Sequence, residues 1–351
     1  MRILFTSFYI ILLFSTVVQA RILFDSTRNQ DYQIYVMDDD GTNIMKLTNF
    51  ERPTGHGSVM ASRWSPDGKH IVFSKQVNPR NWKESHLFLM NADGTNVREL
   101  TPPLVPFGRD NKPTFSPDGN SVLFTRHVRI GNGDDKSSIN VINIKSGIIK
   151  QITDFLVNSP EFLPDGKKIV YSSLPDVGGS GGNIWIMHAN GNRARPLLTP
   201  PVGNNMVISR WTPRWSSDGK TMLYTEDRDI LQKIDNVTHY IPQGYHYLIC
   251  DRDGRNIRAL KIPKHLRPSG VDWMDNGKSV VFTASEVTLR QPAGPDFRYN
   301  FQIYKFHIAT GKLTQLSEHS GNDYTVDWIS DDVLSVVPLD KKKVQWGTIK
   351  Q

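Results

Sequence analysis

Charged side chains recur at one position of a pattern that repeats along the chain. An ionisable residue directly precedes an aromatic residue in five of the six copies, and the sixth copy has Thr114 there. If the copies surround an axis, these side chains form a ring, in which an isolated buried charge would be unfavourable. We consider a ring of salt bridges that holds the copies in register, or a polar channel that binds an ion or small polar ligand. The ring residues are Arg63, Glu161, Arg214, Asp272 and Asp327.

A second set of polar residues lies in the segments between copies, where we expect the mouth of such a channel. Two of these residues are histidines, and imidazole and carboxylate groups can ligate metals. No short ligand spacing is present, so we predict neither a metal, a cofactor nor a catalytic residue. The mouth residues are His56, Arg109, Asp110, Asn158, Arg210, His319 and Asp323. Three tyrosines are added to the predicted binding residues because their large side chains suit binding surfaces: Tyr240, Tyr245 and Tyr299.

Two alternating sequence patterns predict the elements that position these residues. The first includes RWSPDGKHIVFS and TFSPDGNSVLFT, and the second includes IYVMDDDGTNIMKLT and LFLMNADGTNVRELT. Each pattern is typical of a hairpin, since Asp caps the turn and Gly adopts a positive φ. Two hairpins make four strands, and a repeat of about 50 residues is typical of propeller blades. The copies predict an all-β, six-bladed β-propeller of four-stranded antiparallel blades.

The two ends of the chain are predicted to meet in the first blade. RILFDS at 21–26 reads as a second strand without a first, and YTVDWIS at 324–330 supplies it, which closes the ring. VLSVVP at 333–338 would duplicate RILFDS, so a partial seventh blade is the alternative. We place the propeller at 21–338 and a tail of unassigned role at 339–351.

Residues 1–20 have the pattern of a secretory signal peptide. Arg2 precedes an apolar run, and small or modest residues stand at the end of the segment. We predict cleavage after Ala20 and a periplasmic or secreted protein without stable membrane insertion; an uncleaved anchor is the alternative. The net charge of +7 is scattered, which argues against nucleic-acid binding, and a single cysteine, Cys250, excludes an internal disulfide framework.

Loop lengths differ between the two faces of the predicted propeller. The tight Asp-Gly turns share one face, which we call the turn face. The opposite, long-loop face carries the segments 77–85, 127–138, 175–182, 226–246 and 286–300. Because binding residues concentrate on loops of a rigid scaffold, we predict that the long-loop face binds the ligand.

The SPDGK-IVFS and IYVM-ADGTN-LT patterns resemble the TolB-like propeller repeats of the periplasmic Tol system, over about residues 21–338. The resemblance implies a propeller fold, export and a general binding role; the α/β domain that precedes the propeller in TolB has no counterpart among the repeats.

The function predicted from these observations is that of an exported, non-catalytic propeller. We expect a monomer, not an enzyme, that docks a protein, peptide or cell-envelope component on the long-loop face. The alternative is a propeller lyase or hydrolase that acts on an acidic polysaccharide with a channel-mouth metal or His/Arg site. A structural sheath component is a third possibility.

Overall fold

The computed structural model describes residues 20–50, 59–78, 84–102, 108–130, 134–155, 157–173, 181–199, 206–234, 237–291 and 298–335. The leader at 1–19 and the segment 336–351 lie outside this part of the chain. Within it, no helix is long and apolar enough to cross a membrane. The fold is an all-β propeller of four-stranded antiparallel sheets.

The strands form five sheets. The first has the order β24-β1-β2-β3, with bounds Asp323–Ile329 (β24), Arg21–Ser26 (β1), Gln33–Asp38 (β2) and Met45–Lys46 (β3). The second is eight-stranded, with Val59–Trp64 (β4), His70–Gln76 (β5), Ser85–Asn91 (β6), Arg98–Glu99 (β7), Gly108–Phe115 (β8), Ser121–Ile130 (β9), Asp134–Asn143 (β10) and Ile149–Gln151 (β11). One parallel pair, Ser85 with Arg109, joins β6 to β8 and thereby connects two antiparallel four-stranded arrays.

The other three sheets are four-stranded. The third contains Val157–Phe162 (β12), Lys168–Ser173 (β13), Ile184–His188 (β14) and Arg195–Pro196 (β15). The fourth contains Met206–Trp215 (β16), Thr221–Ile234 (β17), Val237–Asp251 (β18) and Arg258–Ala259 (β19). The fifth contains Leu266–Met274 (β20), Ser279–Glu286 (β21), Gln302–His307 (β22) and Lys312–Gln315 (β23), with a 3-10 turn at Asp275–Gly277.

The Ser-Pro-Asp-Gly turns form because each of their residues has a defined role. The Ser65 hydroxyl donates to Oδ1 of Asp67 at 2.6 Å, and the Lys69 N–H donates to the same oxygen at 3.1 Å. Gly68 has a φ of 68°, and its N–H donates to the Ser65 carbonyl at 2.9 Å. The local sequence therefore specifies both the turn and the register of the strands that leave it.

The innermost strand of each four-stranded array contains a β-bulge near its centre. Each of these strands shows a register shift against its neighbour. Five of the bulges place a residue other than glycine at positive φ: Ala61, Lys112, Ser159, Thr212 and Thr325. A bulge bends the strand and redirects the side chains that follow it. The ring positions come two residues after these five residues.

Apolar clusters between neighbouring arrays form the core. Val72 and Leu87 pack against Val122 and Phe124, so the two halves of the eight-stranded sheet bury a cluster between them. Other clusters follow around the molecule, and one joins the fifth sheet to the first through Val281 and Phe24. Hydrophobic burial between arrays therefore continues from the last sheet back to the first.

The two ends of the described chain lie side by side in the first sheet. β1 pairs antiparallel with β24, with Arg21 opposite Ile329 and Ser26 opposite Asp323. A strand was expected at 333–338. This prediction is wrong for residues 333–335, because Asp331–Ser335 forms a short helix (α1); residues 336–338 lie outside the described part of the chain. Leu334 of this helix packs into the cluster that contains Ile329, so the apolar pattern reflects helix packing.

Two predicted loops of the long-loop face are instead extended hairpins. Residues 127–130 and 134–138 belong to β9 and β10, whose described pairing includes His127 opposite Ser137. Residues 226–234 and 237–246 belong to β17 and β18, which pair from Glu226 with His246 out to Ile234 with Val237. Residues such as Ile230 and Ile241 pair across the second hairpin, which we call the arm. Cross-strand pairing of β-branched residues stabilises such an extension.

Candidate functional site

All six ring positions lie around one cavity of about 340 Å³ on the axis of the propeller. The aromatic residues that follow them also line it: Trp64, Phe115, Phe162, Trp215, Trp273 and Trp328. Pro66, Pro117 and Pro164, which belong to the tight turns, line it as well. The cavity therefore lies at the turn face, and we call it the turn-face cavity.

Two buried ion pairs connect ring positions of neighbouring arrays. Nη1 of Arg63 lies 2.5 Å from Oδ1 of Asp327, and Nη1 of Arg214 lies 2.6 Å from Oε2 of Glu161. The four side chains are 8–15% exposed, so water screens these pairs only weakly. Each pair spans two arrays and thus contributes to their alignment.

The ring carboxylates also bond the backbone of the next array. Oδ2 of Asp327 accepts from the Trp64 N–H at 2.6 Å, and Oε1 of Glu161 accepts from the Trp215 N–H at 3.1 Å. Oδ2 of Asp272 accepts from the Trp328 N–H at 2.8 Å. These hydrogen bonds hold neighbouring arrays in register and also fix the aromatic residues that line the cavity.

Asp272 is the ring carboxyl that has no ion-pair partner among the described residues. The ring contains three carboxyls and two guanidinium groups, which pair with Asp327 and Glu161. Burial raises the pKa of Asp272 to about 8, and the charge of Asp327 adds to this effect. The raised pKa favours the protonated form of Asp272, and an approaching cation favours the ionised form.

The predicted channel-mouth residues form separate contacts within the arrays. The Asp110 carboxylate, fully buried, binds Nε and Nη2 of Arg126, both at 2.8 Å. Arg210 lies 2.9 Å from Glu226 and also donates to the Thr199 carbonyl. These two ion pairs connect adjacent strands.

Two further mouth residues of the second and third sheets differ in their settings. Arg109 is half-buried opposite His127. The amide oxygen of Asn158 accepts from the Ser159 N–H at 2.8 Å, which supports the bulge in β12. Both are therefore part of the inner strands that the sequence analysis treated as links.

His319 and Asp323 meet where the chain ends pair. Asp323 is fully buried, and its Oδ1 lies 3.1 Å from Nε2 of His319 and 3.2 Å from Nη2 of Arg28. His56, the other histidine predicted at the channel mouth, lies outside the described residues. Among the residues that the structure describes, no group of three or more His, Cys, Asp and Glu side chains is placed to hold a metal ion.

The three tyrosines do not form one surface. Tyr240 is 58% exposed on the arm, whereas Tyr245 is buried and Tyr299 is partly exposed near the fifth sheet. The guanidinium of Arg267 lies 4.6 Å from the Tyr299 ring centre and 5.7 Å from that of Tyr245. Sequence reasoning missed Arg267, and no repeat position distinguishes it.

Lys112 is a second residue that sequence reasoning missed. It occupies the bulge of β8, two residues before the ring position Thr114, and lies close to the axis beyond the ring. Counting two residues back from each ring position would have found it as the one lysine in that layer. Its surroundings form a second, smaller chamber.

Comparison with known proteins places these features among propellers. No family model matches the chain. A curated relative from Bacillus subtilis named "Uncharacterized peptidase YuxL" is 27% identical over 42% of this chain and 28% of its own length. Dipeptidyl-peptidase 5 from Porphyromonas gingivalis is 24% identical over 45% of this chain and 23% of its own length. The chain thus spans about a quarter of the length of these two relatives.

A solved structure of TolB from Acinetobacter baumannii shares the fold. It superposes with a TM-score of 0.61 at 19% identity, over 89% of this chain and 67% of TolB. An oligogalacturonate lyase in complex with manganese superposes with a TM-score of 0.53 at 14% identity, over 86% of this chain and 74% of the lyase. The first likeness confirms the TolB-like propeller fold predicted from the repeats.

The curated relatives correct the predicted function. Both carry the name of a peptidase, which overturns the expectation of a non-catalytic binding propeller and the expectation that the protein is not an enzyme.

Proposed function

We propose that this protein takes part in peptide hydrolysis and that its propeller holds the amino-terminal end of the substrate peptide in the turn-face cavity. The surplus carboxyl of Asp272, enclosed by aromatic side chains, is the observation that carries this proposal. The names of the two curated relatives support the peptide as substrate class.

The chemistry of the cavity matches a primary ammonium group. Such a group donates three hydrogen bonds, and a carboxylate within a low-dielectric wall binds it strongly. Aromatic faces attract cations, most strongly the indole ring, and four of the six aromatic residues of the wall are tryptophans. A volume of about 340 Å³ lies within the usual range for small ligands and fits a peptide end.

Binding of the ammonium group would release the proton of Asp272. The resulting carboxylate would balance the incoming charge. The ring residues would hold and orient the peptide end.

We further infer that the propeller has six blades and a closed ring. The eight-stranded sheet counts as two blades, because a single parallel pair joins its halves while a full apolar cluster separates them. Six bulged inner strands and six clusters support this count. We also propose export after cleavage at Ala20 and a monomeric state, which amino-terminal sequencing of the exported protein and light scattering would test.

Tryptophan fluorescence measures peptide binding directly, since the cavity wall contains Trp64, Trp215, Trp273 and Trp328. We expect short peptides with a free amino terminus to change the emission saturably and their acetylated forms to bind at least about tenfold more weakly, as loss of a buried charged hydrogen bond implies. Asp272→Asn should weaken binding of the free peptides to a similar degree. Asp253→Asn, an exposed turn carboxyl, is the matched control.

Hydrolysis is followed by mass spectrometry of the same peptides incubated with the purified protein. New carboxyl termini that appear with wild type, and more slowly with Asp272→Asn at low peptide concentration, support the proposal. Equal binding of free and acetylated peptides would refute the role of the cavity, and intact peptides after prolonged incubation would refute hydrolysis.

A further inference from the structure

A second, smaller chamber lies beyond the ring, on the side away from the turn face. Its volume is about 20 Å³, and it shares Arg63, Thr114 and Arg214 with the turn-face cavity. The residues of the strand bulges form the rest of its wall. Three cationic side chains and five hydroxyl-bearing residues line it: Arg63, Lys112, Arg214, Thr114, Ser159, Thr212, Ser269 and Thr325.

The charges that line this chamber are all positive. Its wall contains no Asp or Glu, whereas Asp327 and Glu161, the partners of the two arginines, line the cavity on the other side of the ring. The guanidinium groups are therefore neutralised from one side only. The turn-face cavity is thus lined by three carboxyls and two guanidinium groups, whereas the chamber is lined by the same two guanidinium groups and Lys112.

Lys112 has no hydrogen-bond or ion-pair partner among the described residues. Burial lowers the pKa of its ammonium group, and the charge of Arg63 lowers it further, while Asp25 opposes them. The Asp25 carboxyl cannot serve as a full counterion, because burial raises its pKa to about 7 and it accepts from the Ser62 hydroxyl at 2.6 Å.

Arg214 provides a second unsatisfied donor. Its Nη1 is used by Glu161 and by the Pro213 carbonyl. Its Nε is buried without a hydrogen-bond partner in the described part of the chain. Buried donors in native proteins nearly always have an acceptor, so this Nε, beside the half-buried ammonium of Lys112, indicates a ligand that accepts hydrogen bonds.

We propose that this chamber binds one small monovalent anion of the size of chloride. A volume near 20 Å³ accommodates about one water-sized group, which excludes sulfate, phosphate and the carboxyl end of a peptide. The ammonium of Lys112 and Nε of Arg214 are the donors that such an ion would accept from, whereas the hydroxyls of Ser159 and Thr212 already bond Asn158 and Thr225. Because several inner strands contribute, the bound anion would connect arrays around the axis.

The anion site can be tested separately from the proposed peptide binding, because Lys112 lines the chamber and not the turn-face cavity.

Bromide provides the direct test, because it replaces chloride and scatters X-rays anomalously. Crystals of the wild-type protein grown in bromide should show an anomalous peak between Lys112 and Arg214. In solution, thermal unfolding in chloride and in gluconate at constant ionic strength separates a small anion from a large one. Since a ligand of the folded state stabilises it, we expect the wild-type melting temperature to be higher in chloride by about 2 °C or more.

Lys112→Met should abolish both the bromide peak and the difference between chloride and gluconate. Lys145→Met, which removes an exposed lysine of a turn, should leave both unchanged. If Lys112→Met fails to fold, the bromide peak and the anion dependence of the wild type still decide the question. Absence of the peak, equal melting in the two salts, or a peak that persists in folded Lys112→Met would overturn the proposal.

Discussion

Replacement of Asp272 by asparagine tests how the ring carries its charge. In the wild-type protein Asp272 accepts a hydrogen bond from the Trp328 N–H at 2.8 Å. The side-chain oxygen of asparagine can accept the same hydrogen bond, so this contact between the arrays can persist. The change removes only the ability to ionise. Asp25 and Asp227, whose pKa values burial raises to about 7, remain in both proteins. Burial also raises the pKa of Glu161, to about 8, and that of Asp327, and both carboxyls interact with Asp272, so the difference between the two proteins reports on Asp272 together with these neighbours.

The sign of the effect follows from the raised pKa. The pKa of Asp272 in the folded protein is about 8, against an ordinary value of 3.8, so the folded state binds this proton more tightly than the unfolded state. Below about pH 4 both states are protonated, and the carboxyl has no effect. Between about pH 4 and pH 8 the wild-type protein loses stability, because only the unfolded state releases the proton freely.

The size of the effect follows from the same shift. The difference between a pKa of about 8 in the folded protein and the ordinary value of 3.8 corresponds to about 6 kcal/mol at most. The carboxyl borders a water-accessible cavity and is not fully buried, so we expect the asparagine variant to be more stable than wild type by about 2 kcal/mol at pH 8.5. At pH 4 the two proteins should be equally stable.

Urea unfolding of both proteins at pH 4, 6 and 8.5, at constant ionic strength, measures this difference. A stability difference that grows with pH in favour of Asp272→Asn supports the protonated carboxyl. A constant difference, or a variant that is less stable at pH 8.5, would show that Asp272 is ionised and balanced in the folded protein, and the argument from surplus charge would fail.

Two further changes test the contacts between arrays. Arg214→Met leaves the buried Glu161 carboxylate without its cation and should lower the free energy of unfolding by about 3–5 kcal/mol. The control, Arg252→Met, removes a partly exposed ion pair with Asp165 and should lower the free energy of unfolding by less than about 1 kcal/mol. Similar urea midpoints for the two variants would contradict the structural role of the ring. Removal of residues 322–351 deletes β24 with its buried Val326 and Ile329, which should reduce the free energy of unfolding by at least about 3 kcal/mol. The control truncation, removal of 336–351, deletes none of the described strands. Equal melting temperatures for the two truncations would contradict the pairing of the chain ends.

Much of the fold follows from the sequence because its turns are specified locally. Asp67 and Gly68 act within a few residues of one another, and the same short pattern recurs along the chain. Periodic turns and alternating strands can therefore be predicted from a single sequence. The ring position could be predicted too, because it directly precedes the aromatic residue of the repeated pattern.

Other features depend on contacts between distant segments. The bulge at Lys112 has no local signal, because its positive φ is imposed by the packing of the inner strands around the axis. The arm was predicted as a loop, because its pairing of Ile230 with Ile241 was not recognised within a polar segment. The helix at Asp331–Ser335 was predicted as part of a strand, since Val333 and Leu334 fit either periodicity.

The sequence predicted a polar channel at the ring, but it did not predict that this channel widens into a cavity at the turn face. We predicted binding at the long-loop face from the length of its loops, but long loops reflect tolerance to insertions as much as a role in binding. A cavity forms instead where inner strands diverge, and its chemistry is set by side chains that already stabilise the arrays. Arg63 and Arg214 each line both the cavity and the chamber, so one set of residues holds the arrays together and separates a carboxyl-rich space from a cationic one. In such an arrangement a cation at the turn face and an anion beyond the ring would attract each other through the low-dielectric interior, and each would favour the binding of the other.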